Sequence, residues 1–304
     1  MLGQADDQAA APDALPERTL LLSVDFEDWH QLVRRRVGAP NWREPGPALA
    51  RQTEALLTVF GDLGVRATFF ILGMAARAHP ELVRMVAQAG HEIGCHGDGH
   101  QAVHTLTPDE FAADVQAARA TIGELTGQSP AGYRAPMFSI TNRARWAYPI
   151  LAQAGFAYDA SQCESPAVRD HIAPADPGPH PLADVSLWEF PVAVWRPGTL
   201  RLPVGGPSYW TVLPRPIVLR GLAEAGPGAG LYLHPHELDT RPLRPRLGPE
   251  VAGTRRVRAS LRAAQRNATR LRTRGALRAI ADGFRLIPYG DAHAELTQRR
   301  SARP

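Results

Sequence analysis

Residues 18–29, "RTLLLSVDFEDW", contain the first strong structural signal in this 304-residue chain. Their apolar run predicts a buried β-strand, and the acidic residues Asp25, Glu27 and Asp28 fall at its C-terminal end. Because side chains alternate along a strand, we expect Asp25 and Glu27 on one face and Asp28 in the turn beyond. Three neighbouring carboxylates repel one another unless a cation lies among them. Either these acids bind a cation, or they are a helix N-cap and a solvated strand end, which suits one acid better than three.

Strand and helix patterns alternate along the chain beyond this stretch. Predicted helices lie at about 47–61, 80–90, 107–125 and 141–155. Predicted strands lie at 65–72, 91–96, 131–136 and 156–161, with further strands and turns between 186 and 239 and a last strand at 284–290. This alternation predicts an α/β fold, either a parallel sheet or a (β/α) barrel, with its site at the C-terminal ends of the strands.

Polar residues end five successive strand-like runs, which is the most informative pattern in the sequence. They are Asp25, His96, Arg134, Asp159 and His234. Because the C-terminal ends of parallel strands meet at one edge, we expect these five side chains to lie near one another.

The segment 91–100, "HEIGCHGDGH", places His96 and His100 four residues apart on a glycine-containing turn. An open catalytic metal site needs about three protein ligands, typically histidines with a carboxylate. The two histidines supply two ligands, and the acids at 25–28 offer the third. The alternative is a polar loop whose histidines bond to nearby carbonyls, since short motifs of this kind often arise without a metal.

Arg134 and His234 are the other candidates for catalysis. An arginine beside a carboxylate keeps that acid ionised as a base, although Arg134 considered alone is more typical of an ordinary surface arginine. A histidine with a pKa near neutrality can protonate a leaving group. The alternative for His234 is a strand-end histidine with no catalytic role.

Composition excludes several classes of function. All 34 basic residues are arginines, so neither a Schiff-base lysine nor a phosphate-loop lysine is present. Two cysteines cannot form a disulfide framework or a cysteine zinc site. The net charge of +4 is modest, and no basic run is interleaved with aromatics on one element, so we expect no nucleic-acid partner.

The ends of the chain and an arginine-rich segment complete the predicted organisation. We expect a disordered leader at 1–17, a single domain at 18–290 and a tail at 291–304. No secretory signal or long apolar span is found, so a cytoplasmic location is expected. The arginine-rich helix at about 251–282 either covers the barrel with a solvated face or makes a weak contact with anionic lipid or acidic glycan.

Together, these motifs resemble those of the polysaccharide deacetylases of the NodB-homology class, carbohydrate esterase family 4. The motifs are "LSVDFEDW", "HEIGCHGDGH", "YRAPMFSIT", "FAYDAS" and "LYLHP", in this order over about residues 18–290. The first motif looks most similar to the branch found with bacterial exopolysaccharide and exosortase gene clusters. The resemblance implies a distorted (β/α) barrel, a divalent metal such as zinc, and removal of acetyl groups from an N-acetylated poly- or oligosaccharide.

The resemblance also implies roles for individual residues. His96 and His100 bind the metal, Arg134 supports the base, and His234 protonates the sugar amine with Asp159 as its orienting partner. The first motif leaves two assignments open. A gapless overlay makes Glu27 the base and Asp28 the ligand, whereas strand alternation favours Asp25 as base and Glu27 as ligand.

Two other functions remain as alternatives. One is an amidohydrolase acting on a small cyclic amide or ureide on the same fold. The other is a non-catalytic glycan-binding protein, which loss of a metal ligand or of His234 would favour. The candidate metal ligands and His234 are all present in this sequence.

Overall fold

The computed structural model describes residues 14–165, 170–172 and 178–302. Most of the predicted leader at 1–17 lies outside the described residues. Its last residues do not extend away from the body, because Leu15 is buried in the interior of the barrel.

Among the residues that the structure describes, nine strands form one sheet. They are β1 (Thr19–Phe26), β2 (Thr68–Ile71), β3 (Glu92–Cys95), β4 (Gly132–Tyr133), β5 (Tyr158–Asp159), β6 (His180–Pro181), β7 (Trp188–Glu189), β8 (Ala229–Leu233) and β9 (Arg285–Ile287). Their order is β6-β7-β5-β4-β3-β2-β1-β8, and β9 also pairs with β1. All pairings are parallel except that of β6 with β7.

The sheet curls until its two ends meet. Just after β7, Val192 forms a parallel bridge with Gly230 of β8. The α/β prediction is confirmed, and the fold is a distorted barrel whose closure is a single bridge. The sheet is mixed instead of wholly parallel because the short β6 returns against β7.

Alternation along β1 separates two apolar cores. Leu20, Leu22, Val24 and Phe26 pack outward into the large cluster between the sheet and its helices. Leu21 points inward with the interior cluster, which includes residues of β2, β5 and the C-terminal segment. By the same period of two, Ser23 and Asp25 belong to the interior face, so β1 positions polar groups inside the barrel.

Eleven α-helices within the described part of the chain surround the sheet. They are α1 (Trp29–Arg36), α2 (Leu49–Leu63), α3 (Gly73–Ala78), α4 (Pro80–Gln88), α5 (Pro108–Thr126), α6 (Ala147–Gln153), α7 (Pro207–Val212), α8 (Arg215–Ala225), α9 (Gly253–Arg270), α10 (Thr273–Gly283) and α11 (Tyr289–Ser301). Helix α5 begins with the capping box of Thr107 and Glu110 that its sequence predicts. Within the described ranges, no helix is long and apolar enough to cross a membrane.

Three helical features differ from the sequence-based expectations. The sequence patterns do not predict helices α1, α3, α7 and α8; α1, α3 and α7 have eight residues or fewer, and α1 is mostly polar. The arginine-rich segment is two helices, since α9 ends at Arg270 and α10 begins at Thr273. The segment assigned as a tail from residue 291 is the body of α11, which buries Ala292 and Leu296.

Candidate active site

Two histidines and a glutamate converge beyond the C-terminal ends of β1 and β3. The Nε2 atoms of His96 and His100 lie 3.0 and 2.8 Å from Oε1 of Glu27. All three side chains are buried, and one ligand-capable atom from each lies within 4.8 Å of the others. Two imidazoles and one carboxylate form a donor set typical of open catalytic metal sites.

The imidazole of His96 has a defined tautomer. Its Nδ1 lies 2.8 Å from the carbonyl oxygen of Arg134, which only accepts hydrogen bonds, so Nδ1 carries a hydrogen. In the neutral ring the lone pair is then on Nε2, which faces Glu27. This is how proteins orient a histidine ligand toward a metal.

The electrostatics of this group favour positive charge. Burial opposes ionisation of Glu27, yet the adjacent His100, His96 and His234 hold the pKa of Glu27 well below its ordinary value. Burial also opposes the charged form of His96, but the carboxylates of Asp25 and Glu27 raise the pKa of His96. The group therefore attracts a positive charge, either a proton or a metal ion, and its buried donors fit a divalent metal.

The turn that holds the two histidines is fixed by neighbouring side chains. The carboxylate of Asp114 accepts hydrogen bonds from the backbone N–H groups of Asp98 and Gly99. Gly97 has a φ of +75°, and His100 also lies in the left-handed region at 52°. A non-glycine residue in this region stores strain, which is common at functional sites.

Arg134 and Asp25 form a buried ion pair next to this group. An Nη of Arg134 donates to Oδ1 of Asp25 at 2.8 Å, and the guanidinium also donates to Ser23, Tyr289 and the carbonyl of Ala160. Arg134 is therefore not a surface arginine, because it is fully buried. Its contacts fix the Asp25 carboxylate at the interior end of β1.

His234 lies on the opposite side of Glu27 and is the most exposed of the site's histidines. Its Nε2 is 3.9 Å from Oε2 of Glu27, and its Nδ1 is 3.4 Å from Oε2 of Glu237. Asp25, Glu27 and His234 form a second group of ligand-capable atoms within 4.8 Å of one another. Burial opposes protonation of His234, but Glu237, Glu27 and Asp25 raise its pKa to about 9.

Asp28 does not join the Glu27 group. It is the N-cap of α1, and its carboxylate accepts hydrogen bonds from the backbone N–H groups of His30 and Gly46. The chain turns after Glu27, so Asp28 faces the start of the helix. An Asp preceding "WHQL" is itself an N-cap signal.

Asp159 is not the partner of His234 that the resemblance implies. Its carboxylate accepts hydrogen bonds from the hydroxyl and the N–H of Ser161, and it lies opposite Glu189 on the neighbouring strand. Burial raises the pKa of both carboxyls, and the charge of Asp159 raises that of Glu189 further. These two acids form a buried pair that favours at least one proton.

Three residues of the site have no role in the sequence-based prediction: Glu189, Glu237 and Tyr289. Glu237 follows His234 by three residues, the spacing of a capping box at the start of a short helical turn, and this spacing is a local signal for their contact. Glu189 lies in an ordinary strand pattern, and Tyr289 lies 155 residues from Arg134, so neither carries a local signal.

Two family matches divide most of the chain. Residues 44–158 match the family described as polysaccharide deacetylase, and residues 165–281 match a domain of unknown function, DUF3473. The first segment contains His96, His100 and Arg134, and the second contains His234 and Glu237. Both segments therefore contribute side chains to the same site.

Curated relatives cover part of the chain. A peptidoglycan deacetylase of Helicobacter pylori is 32% identical over 106 residues, which are 35% of this chain and 35% of that protein. A chitooligosaccharide deacetylase of Rhizobium leguminosarum bv. trifolii is 41% identical over 73 residues, 24% of this chain and 30% of that protein. The chain spans about a third of the length of these relatives.

Solved structures show the same fold over nearly the whole chain. A putative polysaccharide deacetylase from Mycobacterium smegmatis superposes with a TM-score of 0.59 at 22% identity, covering 96% of this chain and 95% of that one. PuuE allantoinase superposes with a TM-score of 0.56 at 15% identity, covering 92% and 90%. Identities this low establish the fold alone.

Proposed function

Because residues 44–158 belong to the polysaccharide deacetylase family, we propose that this protein is a metal-dependent hydrolase that removes N-acetyl groups from amino sugars of a bacterial polysaccharide or its precursor. The observation that carries the proposal is the meeting of the Glu27–His96–His100 group with the Arg134–Asp25 pair at one end of the barrel. A metal site beside a fixed carboxylate and a protonated histidine has the parts that amide hydrolysis needs.

Glu27, His96 and His100 would hold the divalent metal, for which zinc fits the two nitrogens and one carboxylate. When bound, such an ion polarises the amide carbonyl and acidifies water. The N-cap role of Asp28 supports Glu27 as the carboxylate ligand, because the Asp28 oxygens already accept two backbone hydrogen bonds.

Asp25 is then the general base. Its position on the interior face of β1 puts it beside Glu27 but outside the Glu27–His96–His100 group. The Arg134 guanidinium, 2.8 Å away, stabilises the ionised carboxylate that accepts a proton from the attacking water. Because Arg134 also binds Ser23 and Tyr289, it holds the base in one place.

His234 is the general acid that protonates the departing amine. Its pKa of about 9 keeps it protonated at neutral pH, and its side chain is the part of the site closest to solvent. Glu237 orients the ring through Nδ1, which leaves Nε2 directed toward Glu27 and the reacting groups. This arrangement gives a role to the segment matched as a domain of unknown function, and we propose residues 18–290 as one catalytic domain.

The test is acetate release from N-acetylated oligosaccharides of chitin and peptidoglycan type. Metal-stripped protein should be inactive, and added zinc should restore activity. Asp25→Asn should bind zinc but release no acetate, while Asp62→Asn, at a surface acid paired with Arg274, should behave as the unaltered protein. Zinc-loaded protein that releases no acetate from any of these sugars would reject the proposal. Hydrolysis of a cyclic ureide instead would favour the amidohydrolase alternative.

A further inference from the structure

Helix α9 exposes an apolar ridge to solvent. The helix buries little of itself, with Ala259, Ala263 and Arg270 as its buried residues. On the opposite face, Val257 and Leu261 are 57% and 64% exposed, and Leu271 after the helix end is 61% exposed. With the exposed Ala264 and Ala268 between them, positions 257, 261, 264, 268 and 271 form one ridge about 21 Å long.

A row of arginines flanks this ridge. Arg258, Arg262 and Arg266 follow one another at intervals of four residues, so their side chains are neighbours on the helix surface. No acidic residue lies between 253 and 281. Of the three, only Arg266 pairs with a carboxylate among the residues that the structure describes. Like charges four residues apart destabilise a helix, so the row is unfavourable in the isolated protein.

The arginine row borders the candidate active site. Arg266 donates to Oε1 of Glu237 at 3.1 Å, and Glu237 contacts His234. Arg36, solvent-exposed at the end of α1, adds a fourth guanidinium: partial desolvation by its neighbours and the charges of Arg262 and Arg266 lower the pKa of Arg36. The ridge and the row therefore lie along the rim of the site.

We propose that α9 docks on an anionic lipid bilayer, with the apolar ridge at the boundary of the acyl chains and the arginine row and Arg36 against lipid phosphates. An apolar stripe beside a basic flank without acids is the pattern of helices that lie in the bilayer interface. A second copy of this chain fits the surface less well, because it would bring two arginine rows together. The docking does not depend on the chemistry proposed for the site.

The experiment is co-sedimentation of the full chain with vesicles. We expect binding to phosphatidylcholine vesicles that contain about 30% phosphatidylglycerol, little binding to pure phosphatidylcholine, and loss of binding in about 0.5 M NaCl. The double variants Val257→Ser/Leu261→Ser and Arg258→Gln/Arg262→Gln should each weaken binding about tenfold. Because these four side chains are exposed, both variants should keep the circular dichroism and melting temperature of the unaltered protein.

Matched controls are Leu200→Ser and Arg143→Gln, which change an equally exposed leucine and an exposed arginine outside α9. Both should bind vesicles as the unaltered protein does. Absence of binding to anionic vesicles would overturn the proposal, as would equal losses in the control and α9 variants. Light scattering without vesicles tests whether a second copy of the chain covers the ridge instead. If the unaltered protein were a dimer and Val257→Ser/Leu261→Ser a monomer, the ridge would be assigned to a second copy.

Discussion

The carboxylate of Glu237 bridges the imidazole of His234 and the guanidinium of Arg266. Its Oε2 lies 3.4 Å from Nδ1 of His234, and its Oε1 accepts a hydrogen bond from Arg266 at 3.1 Å. The backbone N–H of His234 also donates to Oε2 at 2.9 Å. Glu237 thus fixes both the position and the charge of the histidine, a role that the motif resemblance assigns to Asp159.

Glu237→Gln should move the alkaline limb of the pH–rate profile to lower pH. A general acid must be protonated, so the rate falls as the pH rises through the His234 pKa of about 9. Burial lowers this pKa and Glu237 raises it, so removing the carboxylate lowers it. We expect a shift of about one unit and about tenfold less activity above the limb. Kinetics of acetate release between about pH 6 and 10 measure this.

Asp239→Asn is the control for that experiment. Asp239 lies two residues beyond Glu237 and is also buried, but its carboxylate pairs with Arg51 at 2.7 Å. The variant should leave the alkaline limb in place. An unchanged limb in Glu237→Gln would remove Glu237 from the role of positioning residue.

Glu27→Gln and Asp28→Asn should separate the two carboxylates as metal ligands. A neutral amide is a poor zinc ligand, so Glu27→Gln should weaken zinc binding by more than the roughly 10–100-fold caused by loss of an outer-shell partner. Asparagine is a good N-cap, so Asp28→Asn should keep α1 and bind one zinc. Competition with a chromophoric chelator gives both affinities. The reverse result would assign the ligand to Asp28.

Glu189→Gln should flatten the dependence of stability on pH. Burial and Asp159 hold the pKa of Glu189 well above its ordinary value, so the folded protein binds this proton more tightly than the unfolded chain. The stabilisation is complete below the ordinary carboxyl pKa and is lost as the pH rises through the higher folded value. The free energy of unfolding, from urea titrations at about pH 5 and 8.5, should fall less in the variant than in the unaltered protein. If the free energy of unfolding fell equally in Glu189→Gln and in the unaltered protein, the raised pKa of Glu189 would be contradicted. The exposed Glu54→Gln is the control and should behave as the unaltered protein.

The sequence predicts the placement of most site residues because they follow local rules. Alternation along β1 puts Asp25 on its interior face, Glu27 follows directly after the strand, and strand ends position His96, Arg134 and His234. What it misses depends on how local turns and distant segments bring side chains together. The resemblance implies Asp159 as the partner of His234, whereas the structure has Glu237 there. A short helical turn, Pro235–Glu237, brings this glutamate back onto the imidazole ring.

Tyr289 shows the same limit at longer range. Its hydroxyl accepts a hydrogen bond from Arg134 at 2.7 Å, and its ring lies 5.2 Å from the guanidinium carbon. The residue follows β9, whose pairing with β1 brings the C-terminal segment under the site. Strand β9 has only three residues, and the sequence of α11 is typical of a polar tail. Neither element gives a local indication of the contact between Tyr289 and Arg134.

Gly97→Ala and Gly99→Ala, two substitutions in one turn, should differ in their effects on stability and zinc binding. Gly97 has a φ of +75°, and an added Cβ would lie 2.7 Å from Oδ2 of Asp114. Since Asp114 holds the backbone between His96 and His100, displacing it loosens both histidines. We expect Gly97→Ala to lower the free energy of unfolding by about 1–2 kcal/mol and to weaken zinc binding.

Gly99→Ala is the matched control, because its added Cβ meets no atom closer than 3.7 Å and its φ is not positive. This variant should keep the zinc affinity and the stability of the unaltered protein within about 0.5 kcal/mol. Urea denaturation and chelator competition on both variants provide the comparison. If Gly97→Ala bound zinc as tightly as Gly99→Ala, the contact between Asp114 and the turn would not be what aligns the two histidines.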